Sequence, residues 1–276
     1  MPAGNSPRDA RSVGVGHYRK TDSIALSAVI ADNQVAIVAI ESEGMSNDTP
    51  ARVSFEMQAS FPSNWNAADL QCRLGGIPLE RILLVPPPGC ATEEDVTRLD
   101  DHEDRLCELE DGILVEKPMG WYESVIALLI STEISIYLRT HDRGKLLGAD
   151  GIIKILPGIV KIPDVCFISW DRWPKEMPPR RPIPTLIPDL VVEVLSDTNT
   201  KAEMANKLVQ YFEAGVRLVW YIDPETRSAK AYTATDQVTE IPAGGHLDGG
   251  DVLPDFQLFL QALFVEADRQ GPVDTE

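Results

Sequence analysis

Three ionisable side chains stand in runs whose apolar neighbours predict burial: Asp164 in IPDVCFISW, Glu193 in PDLVVEVLS and Lys207 in NKLVQYFEAGV. A charge inside a protein is tolerated when it is paired, hydrogen-bonded or bound to a metal ion, so two carboxylates and a lysine placed this way mark a candidate site. Other acids stand close in sequence. Glu203 precedes Lys207 by four residues on one helical face, where it either holds the lysine or forms an exposed helix pair. Glu123 falls in the first turns of an expected helix, a position that also favours an acid through the helix dipole. Glu108 and Glu116 flank an expected hairpin and are candidates to point inward, Glu116 being placed rather on the surface, and Asp189 beside Pro188 reads as a turn or edge residue.

The elements that position these residues are legible from patterning. Asp-Gly between apolar alternations makes LCELEDGILVEKP a hairpin turning at Glu110-Asp111-Gly112. A helix follows in MGWYESVIALLISTEISIYLRTHDRG, with Val125, Leu128, Leu129, Thr132, Ile136 and Leu138 as its expected apolar face. Residues 146–170 read as strands broken at Pro157-Gly158, and LVVEVL as a central strand buried on both faces. The segment TKAEMANKLVQYFEAGV is an amphipathic helix closed by Gly215. A hairpin turns at Asp223-Pro224-Glu225, with Trp220 and Tyr221 as packing residues, and the chain ends in a short extended piece and a helix.

Before this domain, 66–104 reads as a helix-strand-helix lead-in whose last helix starts at Thr92, and 1–65 as an N-terminal extension, partly disordered or decorating. Within that extension, Ser27 to Ile40 alternates as two short strands around Asp32-Asn33. The main domain covers 105–266 and a tail 267–276. This order predicts an α/β (α+β) fold, a mixed β-sheet flanked by helices.

Composition sets outer bounds. The 276 residues are 43% hydrophobic, enough for a sizeable core. No run approaches the ~20 apolar residues of a membrane helix and the start lacks a signal-peptide core, which predicts a cytoplasmic protein with no membrane association. Cys72, Cys90, Cys107 and Cys166 are widely spaced and read as free thiols, and the four histidines form no zinc pattern. A net charge of -18 argues against a nonspecific nucleic-acid binder driven by its own positive field. It is compatible with an acidic site that recruits divalent cations. The longest basic stretch, Arg172, Lys175, Arg180 and Arg181 around Trp173, reads as a solvated loop rather than a substrate-contacting one.

The ordered set ELEDGILVEK, IPDVCFISWDR, PDLVVEVLS, KLVQYFEAGVRLVWYIDP and LPDFQLFLQALF resembles the Uma-two family of restriction-endonuclease-like proteins, within the PD-(D/E)XK nuclease-like superfamily. The resemblance spans about Cys107 to Phe264 and implies a restriction-endonuclease-like fold. It implies Asp164 and Glu193 as ligands of Mg²⁺ (or Mn²⁺), with Glu123 as a further metal-associated acid. The superfamily's usual lysine position holds Leu195, so the resemblance implies a lysine migrated to the next helix, Lys207. The activity implied is hydrolysis of DNA phosphodiester bonds by metal-activated water, with Asp164, Glu193, Lys207 and Glu123 as catalytic residues. DNA is the implied substrate and a homodimer is compatible with the resemblance. The alternative is a nuclease fold with weak or no activity that serves in binding or assembly.

Overall fold

β-branched runs bounded by Gly, Pro and Asp make most of the strands, and Asn, Thr and Gly stand where helices begin and end. The structure, a computed structural model, describes residues 25–31, 34–40, 65–118, 120–176 and 183–271. The chain divides into two units, Met1–Phe55 and Glu56–Glu276. In the first, Ala25–Ala31 (β1) and Gln34–Ile40 (β2) pair antiparallel, as the alternation predicts; the Asp32-Asn33 turn lies outside the described residues.

The second unit opens with Ala67–Arg73 (α1), a 3-10 turn at Leu79–Arg81, Ile82–Leu83 (β3) and Glu93–Glu103 (α2). The Asp-Gly hairpin follows as Cys107–Glu110 (β4) and Ile113–Glu116 (β5), then the long helix Trp121–Thr140 (α3). Next come Gly144–Leu147 (β6), Ile153–Leu156 (β7), Ile159–Lys161 (β8) and Val165–Ser169 (β9). The central strand Leu190–Val194 (β10) and Lys201–Ala214 (α4) precede Leu218–Asp223 (β11), Ser228–Ala234 (β12), Gln237–Ile241 (β13) and His246–Asp248 (β14). Gln257–Phe259 (β15) and Leu260–Ala267 (α5) end the described chain.

The expected mixed sheet is divided. One sheet has the order β13-β12-β11-β10-β9-β6, with β10 and β11 parallel, and a second has the order β3-β5-β4-β8-β7. Strand alternation sorts the six-stranded sheet between two cores. Leu190, Val192 and Val194 pack with Val165, Phe167, Trp220 and Ile222 against α3 and α5. Val191, Cys166, Ile168, Val219 and Tyr221 pack against Met204, Leu208 and Tyr211 of α4. Trp220 and Tyr221 are thus core residues, as expected, facing opposite layers.

The apolar face expected for α3 is a correction. Ile126, Ala127, Ile130 and Ile134 are buried and, of the expected face, Leu129 and Leu138 pack against the core, whereas Leu128 and Ile136 are exposed. The helix is apolar on both sides, so its periodicity does not choose which side the sheet takes. By length and composition α3 is also apolar enough to cross a membrane, contrary to the sequence expectation, although one face is packed in the core.

Candidate active site

The antiparallel register that pairs Val165 with Val192 sets Asp164 beside Glu193 at one end of β9 and β10. Asp164 Oδ2 accepts the Val194 N–H at 2.7 Å, and its Oδ1 meets Lys117 Nζ at 2.9 Å. Glu193 has the parity of Val191 and so faces α4. There Lys207 Nζ and the Tyr211 hydroxyl, one helical turn apart, donate to its Oε1 at 3.3 and 2.5 Å. Asp164, Glu193, Lys207, Lys117 and Glu123 line one pocket of about 40 Å³. Glu123 is folded back over its helix start: a Cβ added at Gly120 would fall 1.7 Å from its Oε2.

The second sheet supplies a layer of charge that sequence reasoning saw only in part. Leu109 pairs with Val160, which sets Glu108 opposite Lys161 on one face. Lys161 is wholly buried and contacts both Glu108 and Glu110. Glu108 Oε1 accepts Lys207 at 2.9 Å and the Ile162 N–H at 3.3 Å. Lys117, just past β5, also donates to the Ala149 carbonyl at 3.1 Å. Sequence reasoning singled out none of Lys117, Lys161 and Tyr211 and put Glu110 in the hairpin turn, whereas Glu110 is the last residue of β4 and meets Lys161 and Gln210. The available signal was a lysine inside the apolar run IVKIP and paired acids on alternate positions of CELE.

These contacts divide the charge unequally. Burial alone would raise the Glu108 carboxyl, but Lys207 and Lys161 outweigh it and bring it down to about 2. The Glu193 carboxyl is raised, by burial first and by Asp164 and Glu108 among its neighbours, against the pull of Lys207. Burial disfavours the Lys207 ammonium, yet Glu108, Glu193 and Glu203 hold it charged well above the ordinary lysine range. Lys207 is closer to Glu108 than to Glu193, so Glu193 is the acid left short of positive charge.

Asp164 and Glu193 fit a hard divalent cation, which binds through one or two carboxylates and keeps waters or substrate oxygens for the rest. Among the described residues no three His, Cys, Asp or Glu side chains form a ready cage. Glu123 would have to turn away from Gly120 to join the other two.

Three sequence expectations are corrected. Glu203 does not hold Lys207 by a hydrogen bond, nor is the pair exposed: both are buried, and Glu203 takes a two-pronged contact from Arg81 at 2.7 and 3.1 Å. Asp189 is buried rather than at an edge, held by Arg172 and Arg217 and by the Ser169 N–H, because its strand starts inside the sheet. Arg172 is partly exposed and engaged with Asp189, Lys175 is exposed as the solvated-loop reading expects, and Arg180 and Arg181 lie outside the described residues. Glu116 is half-exposed and pairs with Arg105.

A crystal structure titled "a putative nuclease belonging to DUF820", from Anabaena variabilis, superposes with a TM-score of 0.54 at 17% identity. The match covers 59% of this chain and 92% of that one, which establishes a shared nuclease-like fold. A model of the Uma2 family, described as "putative restriction endonuclease", matches residues 93–262. That is more than half of the chain, and the chain belongs to the Uma2 family. No curated protein matches it.

Proposed function

We propose that this protein is a divalent-cation-dependent endonuclease that hydrolyses DNA phosphodiester bonds. The observation that carries the reading is the meeting of Asp164, just before β9, with Glu193 of β10, Lys207 of α4 and Glu123 of α3 at one small pocket. Asp164 and Glu193 would hold Mg²⁺ or Mn²⁺, with Glu123 as an auxiliary acid. When bound, such a cation polarises a phosphodiester and acidifies water. Lys207, kept charged by Glu108 and Glu193, stabilises negative charge that develops on the phosphate. Tyr211 and the Val194 N–H fix the two carboxylates, so little reorganisation is needed during reaction.

Cleavage of supercoiled and linear DNA in Mg²⁺ or Mn²⁺ tests this. EDTA should abolish it, and Asp164→Ala, Glu193→Ala and Lys207→Met should each lower the rate by about 10²-fold or more. Activity surviving in all three variants overturns the assignment. A second reading, a nuclease fold used for binding or assembly, is favoured by the net charge of -18. Mn²⁺ binding by calorimetry separates the two: a retained site loses its heat in Glu193→Ala, whereas a vestigial one shows none.

A further inference from the structure

Lys117 is the pocket's second lysine. It is nearly buried, and it reaches the pocket from the end of β5, a different sheet from the one that carries the two acids. Its ammonium sits between Asp164 Oδ1, at 2.9 Å, and the Ala149 carbonyl, at 3.1 Å. Both partners are oxygens, and a hard divalent cation prefers the same kind of ligand. The charged side chains that line the pocket are Asp164, Glu193 and Glu123 against Lys117 and Lys207, one carboxylate in excess. A lysine on Asp164 therefore makes a tolerable resting arrangement for acids that would otherwise repel one another across a small cavity.

We infer that Lys117 is a positioning residue that holds the Asp164 carboxylate in the metal-free protein and competes with a divalent cation for it. The inference rests on the proposed metal-dependent function. Cation binding then exchanges one ion pair for another, and the displaced ammonium stays beside the pocket, where it adds positive charge next to a phosphate. The excess carboxylate leaves the site net positive once a divalent cation is bound, which suits an anionic substrate.

The test is calorimetric titration of the full-length chain with Mn²⁺ alone, with thermal unfolding of each variant alongside. Lys117→Met and Lys117→Gln should bind Mn²⁺ about tenfold more tightly than the wild type, because a competitor and a like charge are removed. Lys117→Arg, which keeps the charge, should stay near the wild-type affinity. A purely structural lysine predicts the opposite sign, weaker binding together with a lower melting temperature. Folded Met or Gln variants that bind no more tightly than the wild type overturn the inference while leaving the metal-dependent function intact. If the Met variant does not fold, the Gln variant, which can still donate to Ala149, decides. Absence of Mn²⁺ binding in the wild type and in both neutral variants overturns the metal-dependent reading itself, and this inference with it.

Discussion

At the scale of single residues, Glu108 links the site to stability. It bonds Lys207 and Lys161 and its carboxyl is lowered from 4.5 to about 2. The folded value lies below the unfolded one, so this contribution is present above about pH 4.5 and is lost as pH falls towards about 2. Glu193 works the other way: its raised carboxyl favours the fold as pH falls. Urea midpoints measured near pH 5 and pH 3 should therefore fall for the wild type and fall less for Glu108→Gln. The variant should also be less stable at neutral pH, because two buried ammonium groups lose a charged partner. Asp164, Glu193 and Lys207 were legible because each interrupts an apolar run. Glu108 was less so, since an acid in a short hairpin strand is as often solvated as buried.

Elements meet through Arg81. Its guanidinium donates to the Glu116 carbonyl at 3.0 Å and to both oxygens of Glu203, so it joins the end of β5, which leads into Lys117, to α4, which carries Lys207. The turn after α1 presses on the same helix: a Cβ on Gly75 would lie 2.5 Å from the Glu203 N. Removing one partner of a buried pair leaves the other uncompensated, and Arg81→Ala should cost about 3–5 kcal/mol in urea unfolding. The double change Arg81→Met with Glu203→Met should cost less than Arg81→Ala alone. No local pattern announced this contact, because Arg81 and Glu203 lie far apart in sequence and each has an ordinary exposed reading on its own. Element types, by contrast, were legible at length. The Asp-Gly hairpin, the Thr200 and Gly215 ends of α4 and the Asp223 turn all follow from local chemistry. The facing of α3 did not follow, because apolar residues on two sides of a helix leave the choice to whatever packs against it.

For the molecule as a whole, the unit Glu56–Glu276 gathers the lead-in and the family region around shared cores. Leu70, Ile77 and Ile82 pack with Ile113 and Val115, and Val96 and Leu99 pack with Leu109 and Val160. We therefore propose that a chain starting at Glu56 unfolds cooperatively. A chain starting at Arg105 should lose cooperative unfolding in circular dichroism, having lost those cores and the partner of Glu203. Equal melting of the two truncations would refute this. The sequence by itself determined the family, most of the strands and helices in their order and four members of the pocket, but not β13 and β14 nor the break between β8 and β9; periodicity, turn residues and charges in apolar runs are local signals. Only the tertiary structure decided that the strands divide into two sheets and that Lys117, Lys161 and Glu108 reach the acids from the second. It also gave Glu203 to Arg81. Contacts between distant segments are set by register and packing, and a charged side chain takes whichever buried partner the fold brings within hydrogen-bonding distance.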